Sequence, residues 1–214
     1  RGEVTRNLIV VMDNASSPVS TTYEQLISRG NPEPVYFPES ADEDTTVIMF
    51  TAGTTGTPKG VMLTHDSFSS YILSTVTPAD PDVYETNLIT VPFYHIAGLQ
   101  AALSAIFGGR TLAIMQQFDA SAWLQLAQEE HVNRAMLVPT MLKQLMDHPE
   151  FEKYDLSDLR VITYGAAPMP LEVIKQAIRT FPNAQFINAF GQTETASTIT
   201  MLPPEDHILE GSVS

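Results

Sequence analysis

Apolar positions along the chain fall into short runs and helix-spaced stripes that alternate. Leu8-Ile9-Val10-Val11-Met12 is a continuous apolar run, the pattern of a strand buried on both faces. Tyr23, Leu26 and Ile27 follow at i, i+3, i+4 and predict a short helix ending near Gly30. Three prolines between Asn31 and Asp44, with the acidic run Asp42-Glu43-Asp44, read as a surface connection. From Thr46 the alternation is regular. Val47 to Phe50 predicts a buried strand, and Phe68, Tyr71 and Ile72 a helix that Thr64 can cap. Leu88 to Val91 predicts a strand stopped at Pro92. Leu99, Leu103, Ile106 and Phe107 predict a helix closed by Gly108-Gly109. Thr111 to Met115 is the next strand, and Asp119 can cap a helix with Trp123, Leu126 and Ala127 on one face. Ala135 to Val138 is a strand, followed by a helix from Pro139 with Met141, Leu142, Leu145 and Met146 inward. Arg160 to Tyr164 is a strand. Pro170 opens a helix burying Leu171, Ile174, Ala177 and Ile178, and Phe186-Ile187 begins the last strand.

This alternation predicts an α/β fold with a mainly parallel sheet and helices on both faces. Composition narrows the function classes. With 43% hydrophobic and 17% charged residues among 214, the chain has the makings of a packed core. It has no cysteine, which excludes disulfides, thiolate zinc sites and a thiol nucleophile. Eleven Lys and Arg against 25 Asp and Glu give a net charge of −14, which argues against nucleic acid as a partner. No run of about 18 apolar residues is present to form a transmembrane helix. The first residue is Arg and no secretory pattern follows. The expectation is a piece of a longer cytoplasmic protein.

Ligands of open α/β sheets bind beyond the carboxyl ends of the strands, so the residues after each predicted strand carry the chemistry. The first such segment is Thr51-Ala52-Gly53-Thr54-Thr55-Gly56-Thr57-Pro58-Lys59-Gly60. Glycines allow a tight backbone approach, threonines offer hydroxyls and Lys59 a point charge, the donor set a polyphosphate needs. It is not a Walker A loop, because Pro58 precedes the lysine and Gly60 follows it, and it is not a G-x-G-x-x-G fingerprint. Later strand ends carry Pro92-Phe93-Tyr94-His95, Gly165-Ala166-Ala167-Pro168 and Asn188-Ala189-Phe190-Gly191-Gln192-Thr193-Glu194. His65, His131, His148 and His207 show no metal-binding spacing, and no G-x-S-x-G string supports a hydrolase.

The loop from Thr51 to Gly60 closely resembles the phosphate-binding loop of the adenylate-forming superfamily, which includes acyl-CoA synthetases, luciferases and peptide-synthetase adenylation domains. Ala52 stands where a serine is usual. The three later segments match the family in the same order, so the resemblance runs from about Leu8 to Leu202. It implies that the loop (Thr51, Ala52, Gly53, Thr54, Thr55, Gly56 and Lys59) meets the phosphates of ATP. It implies that His95 lies beside the carboxylate substrate and that Gly165, Ala166, Ala167 and Pro168 pack on adenine. Of the last segment, Asn188, Ala189, Phe190, Gly191 and Gln192 would border the nucleotide. Phe190, where a tyrosine is usual, would stack on adenine. Thr193 would meet the α-phosphate, and Glu194 would hold Mg²⁺. Lys59, His95, Thr193 and Glu194 are then the catalytic set.

The wording around His95 and Glu194 looks most like fatty-acyl or related acyl-CoA ligases, with ATP (leaving as AMP), Mg²⁺ and coenzyme A as the small molecules beside a carboxylic acid. On this resemblance residues 1–45 end a preceding subdomain and linker, and 46–214 form the ATP- and acyl-adenylate-binding subdomain, a central part of the large N-terminal domain. The family's C-terminal lid, with its lysine, has no counterpart in the chain. Faces that meet such segments would expose apolar residues and favour self-association. The alternatives are a nucleotide-binding module that does not catalyse, an aryl-CoA ligase and a peptide-synthetase adenylation domain.

Overall fold

In the computed structural model, which describes residues 9–11, 20–30, 40–52 and 56–208, the chain divides into two compact units, Arg1–Ser40 and Ala41–Ser214. In the first, β1 (Ile9–Val11) pairs in parallel with β2 (Ser20–Thr22), and α1 (Tyr23–Ser28) follows. The predicted strand and helix are both there. β2 is short and polar and left no hydrophobic signal. The burial predicted for Leu8 to Met12, and most of the connection predicted over 31–44, lie outside the described residues.

The second unit begins with a hairpin. β3 (Thr45–Thr51) pairs antiparallel with β4 (Lys59–Thr64), and the two form a sheet of their own. Two expectations are corrected here. The strand over Val47 to Phe50 is not part of the parallel sheet. Nor is it buried on both faces: Met49 is buried, while Ile48 is 58% and Phe50 71% exposed. Strand side chains alternate, and only one face of this hairpin meets the core. α2 (His65–Thr75) starts at Thr64, whose side chain accepts from the Ser67 N–H at 3.2 Å, while the Thr64 N–H donates to Ser67 Oγ. That reciprocal pair is a capping box made with serine.

The main sheet has six strands. β5 (Thr86–Ile89), β6 (Thr111–Ile114), β7 (Arg134–Leu137), β8 (Val161–Gly165) and β9 (Gln185–Gln192) are parallel, and β10 (Ser197–Leu202) lies antiparallel on β9. The order across the sheet is β10-β9-β8-β7-β5-β6. Between the strands run α3 (Ile96–Phe107), α4 (Ala120–Glu129), α5 (Pro139–Met146) and α6 (Leu171–Thr180).

Register sorts the side chains between faces. Leu88, Ala135, Ile162 and Phe186 are aligned across four strands, and with Leu137 and Tyr164 they form the main core against Trp123, Leu142, Leu145 and Ile174 of α4, α5 and α6. Ile89, Met136, Thr163 and Ile187 alternate to the other face, toward α3. Helices therefore cover both faces, as the alternation predicts. Some inward assignments shift. Leu124 is fully buried while Leu126 sits at the core's edge, and Leu171, in the first turn of α6, is exposed. Pro170 is the N-cap of α6 and not its first residue.

Candidate active site

A small core assembles one end of the site. Met49 and Leu63 of the hairpin, Phe68 of α2, Ile96 at the start of α3 and Ala196 pack together. Three of the four motifs border this cluster. Thr51 pairs with Lys59 at the hairpin's mouth, His95 is the N-cap of α3, and Thr193–Thr195 is a single 3₁₀ turn leading into Ala196. Gly53, Thr54 and Thr55 lie outside the described residues. Ala52, Gly56 and Lys59 are exposed, and the Lys59 ammonium has no ion-pair partner among the described residues. His95 is exposed, with its ring 4.7 Å from that of Tyr94.

The fourth motif joins through the sheet. Gly165, the last residue of β8, pairs with Ala189 of β9. A Cβ on Gly165 would come within 2.1 Å of the Ala189 carbonyl oxygen, and one on Gly191 within 1.4 Å of the Ser197 carbonyl oxygen. Only glycine permits these approaches. The turns that follow are strained. Ala166 (φ 62°), Ala196 (φ 50°) and Ser197 (φ 98°) all hold left-handed backbone, at about 1–2 kcal/mol each. Such strain gathers at functional turns. Thr193 is half-buried. Glu194 is exposed, and its carboxylate makes no ion pair among the described residues.

Alternation along β9 splits the last motif between faces. Ala189 and Gly191 line a cleft together with Ala166. Asn188 lies on the opposite side, aligned with Tyr164 of β8, whose hydroxyl lies 3.0 Å from His207 Nε2. Burial pushes the Tyr164 phenol up to about 12. Phe190 shares that side of the strand and is 60% exposed. Gln192 is exposed at the strand's end, as are Ala167 and Pro168 after β8. Asn188 and Phe190 thus lie on the side of β9 away from the cleft.

The cleft, about 370 Å³, lies between α3 and the sheet. It runs from Ala166 and Gly191 at the carboxyl ends of the strands to Asn87, Arg110 and Arg134 at their amino ends. At that far end Glu85 bridges the two arginines, 2.7 Å from Arg110 Nε and 3.4 Å from Arg134 Nη1. Burial, and then the adjacent Arg110, push the Arg134 guanidinium below its ordinary value. Sequence reasoning missed this cleft. Its signal was on α3, where Gln100 and Ser104 interrupt an otherwise apolar helix at a four-residue spacing.

The family described as AMP-binding enzyme matches residues 2–214. The chain belongs to that family. This AMP-binding chain is 31% identical over 204 residues to 4-coumarate–CoA ligase 3 of Arabidopsis thaliana, covering 91% of the chain and 36% of the relative. It is 36% identical over 183 residues to the long-chain-fatty-acid–CoA ligase FadD13 of Mycobacterium tuberculosis, covering 86% and 36%. Among solved structures, the inhibitor-bound N-terminal domain of FACL13 from Mycobacterium tuberculosis superposes with a TM-score of 0.76 at 30% identity, over 90% of the chain and 50% of that one. O-succinylbenzoate coenzyme A synthetase of Bacillus subtilis, solved with ATP and magnesium, gives 0.71 at 27%, over 87% and 38%. The AMP-binding chain spans about a third of the length of the curated relatives it matches. Among the described residues no helix is long and apolar enough to cross a membrane, and no group of three or more His, Asp or Glu could hold a metal by itself.

Proposed function

We propose that the chain is the central part of the large N-terminal domain of an ATP-dependent acyl-CoA ligase acting on a fatty or related carboxylic acid. In the first step a carboxylate oxygen attacks the α-phosphorus of ATP, the bond to pyrophosphate breaks, and acyl-AMP forms. In the second, the sulfur of coenzyme A attacks the acyl carbon, AMP leaves and the thiol proton passes to solvent. What supports this reading is that three of the strand-end motifs border the Met49–Leu63–Phe68–Ile96–Ala196 cluster while the fourth joins the last one through the Gly165–Ala189 pairing. The CoA ligases among the relatives support it.

In this reading the loop up to Lys59 neutralises the outer phosphates, Thr193 meets the α-phosphate, and His95 stands by the carboxylate. The turn Gly165 to Pro168, with Phe190, flanks the adenine. Glu194 is exposed and makes no ion pair among the described residues, so it would be free to hold magnesium, for which one or two carboxylates beside substrate phosphates suffice. When bound, the ion supplies charge neutralisation at the phosphates. Steps of this kind run on positioning and electrostatics. Coenzyme A and the compartment, taken as cytoplasmic, belong to the same proposal.

The test is ATP–pyrophosphate exchange by a full-length protein carrying this chain, against a panel of carboxylic acids, followed by thioester formation on addition of coenzyme A. Acid-dependent exchange and a CoA thioester are expected. Exchange without thioester would favour a peptide-synthetase-type domain. Nucleotide binding with no exchange on any acid would favour a non-catalytic module.

A further inference from the structure

A second groove, about 370 Å³, runs between α2 and β10 and is lined by none of the catalytic set. Ser67, Ser70, Tyr71 and Ser74, at i, i+3, i+4 and i+7, put one face of α2 along it. From β10 the consecutive residues 198–201 line it. Successive side chains of a strand point to opposite faces, so a wall to which neighbours of both parities contribute is the strand's edge. β10 ends the six-stranded sheet, and among the described residues no backbone–backbone hydrogen bond reaches its outer edge. Ile199 lacks a partner on β9 as well, because the pairing steps from Thr198–Gly191 to Thr200–Phe190 at a bulge.

The chemistry of the walls selects the partner. Ser70 Oγ donates to Asp66 Oδ1 (2.9 Å), and Ser74 Oγ and Thr75 Oγ1 both donate to the Tyr71 carbonyl oxygen (3.0 and 2.7 Å). With their protons spent inside the helix, these hydroxyls offer the groove only lone pairs. Charge agrees with them. No lysine or arginine occurs between Gly60 and Gly109, or after Arg179. Asp66 lies in the first turn of α2, Glu194 just before β10, and Glu205 and Asp206 just after it. An open strand edge pairs with an extended peptide through the main chain. Walls of acceptors and acids suit side chains that only donate and carry positive charge, which are lysine and arginine. We infer that this groove binds an extended basic peptide segment, which adds to β10 as a further strand with its cationic side chains against α2. Ser67 to Ser74 spans about 10 Å of helix, the length of about three extended residues. A second copy of the chain fits poorly, because it carries a net charge of −14 and its own β10 has no basic residue.

The experiment uses a full-length protein carrying this chain and three labelled, end-capped heptapeptides. One alternates lysine with valine, one has glutamate for each lysine, and one is the lysine peptide with every peptide nitrogen methylated. Methylation keeps the charges and removes the donors that pair with a strand edge. Fluorescence polarisation gives Kd, and hydrogen exchange locates the contact. The lysine peptide is expected to bind and to slow exchange at 197–202. The glutamate and methylated peptides should each bind at least about tenfold more weakly, since charge selects the partner and each lost net hydrogen bond is worth up to about tenfold. Thr200→Lys, which sets a cation on the exposed edge strand, should weaken the lysine peptide at least about tenfold. Ser74→Lys, on the α2 wall, is the second variant should β10 not tolerate lysine. Equal affinity for the methylated peptide overturns the inference and leaves only the attraction of an acidic molecule for a cation. Unchanged exchange at 197–202, or no binding, overturns it as well. Protection at 197–202 that rises with protein concentration in the absence of peptide overturns it in favour of a second copy.

Discussion

At Gly165 and Gly191 the neighbouring backbone, and no side chain, dictates the residue. The atoms a Cβ would strike are main-chain oxygens of Ala189 and Ser197, which cannot swing aside. Gly165→Ala should therefore destabilise the chain by about 1–3 kcal/mol, the usual cost of overpacking. Gly191→Ala, with the closer approach, should cost more and loosen β10 from β9. Urea denaturation reads the first. Hydrogen exchange at 197–202 reads the second, and unchanged protection there would count against the close approach. Tyr164 gives a pH effect. Its phenol titrates near 10 in the unfolded chain and near 12 in the fold, because burial disfavours the phenolate. The sign follows from linkage: this contribution is intact below about pH 10 and is lost as pH rises to about 12. The urea midpoint should fall across that window more steeply for the wild type than for Tyr164→Phe. Parallel curves would show that Tyr164 does not carry the effect. Glu194 is a chemical prediction at the same scale. Glu194→Gln keeps the shape and removes the charge assigned to magnesium. In a full-length protein it should cut adenylation by about 10²–10³, by analogy with removing a charge-stabilising donor. Thioester formation from pre-made acyl-AMP should change far less, since no pyrophosphate leaves in that step. Equal losses in both half-reactions would remove Glu194 from the metal.

Elements differ in how far the residues announce them. Helices were legible because a buried stripe repeats at 3.6: Trp123 and Ala127 on α4, and Ile174 and Ala177 on α6, sit where that period puts them. The parallel strands were legible because both of their faces are covered, which gives runs such as Leu88-Ile89 and Ile162. β4 was missed. Its apolar core is only Val61-Met62-Leu63, it begins at Lys59-Gly60, and its outward side chain Met62 is 70% exposed. Thr51 ends β3 and Lys59-Gly60 open β4, so both ends of the segment expected as a loop lie in strand, and nothing local tells that the chain after it pairs back onto β3. β10 was missed for a related reason: as an edge strand it keeps Ile199 and Met201 exposed, so burial does not mark it. Of the site, the four motifs were legible as contiguous strings. The cleft was not, because Gln100, Asn87 and Arg134 come together only through sheet register and the return of α3. The capping box of α2 offers an element-scale measurement. Thr64→Ala removes the acceptor for the Ser67 N–H and should cost about 1 kcal/mol, read as a shift of the urea midpoint. No shift would mean that the α2 terminus draws its stability from Phe68 packing alone.

Across the whole molecule, the balance of covered and uncovered surface is uneven. One face of the six-stranded sheet is sealed by α4, α5 and α6 over a core in which Leu88, Leu137, Leu142, Leu145, Ile162 and Ile174 are fully buried. The hairpin is not sealed. Ile48 pairs with Met62, and both project from the face that Met49 and Leu63 do not use; Phe50, two residues on from Ile48, joins them. Three large apolar side chains at 58–71% exposure on a two-stranded ribbon make an unpartnered surface. The curated relatives are about three times as long, and in a full-length protein further chain is available to cover this face. In the 214-residue chain alone, a second copy is the available cover. Self-association is therefore expected, rising with concentration and weakening with Ile48→Thr, Phe50→Thr and Met62→Thr combined. Threonine keeps the β preference while removing most of the apolar area. Each position is solvent-exposed, so the stability change should stay within about 0.5 kcal/mol per site. Sedimentation velocity over a range of concentrations reads the outcome for the chain, the triple variant and a full-length protein. A chain that stays monomeric throughout, or a triple variant that associates as strongly as the parent sequence, would show that the hairpin face is not the sticky one. Association of the short chain beside a full-length protein that stays monomeric would mark this ribbon as a surface that the rest of the full-length protein covers.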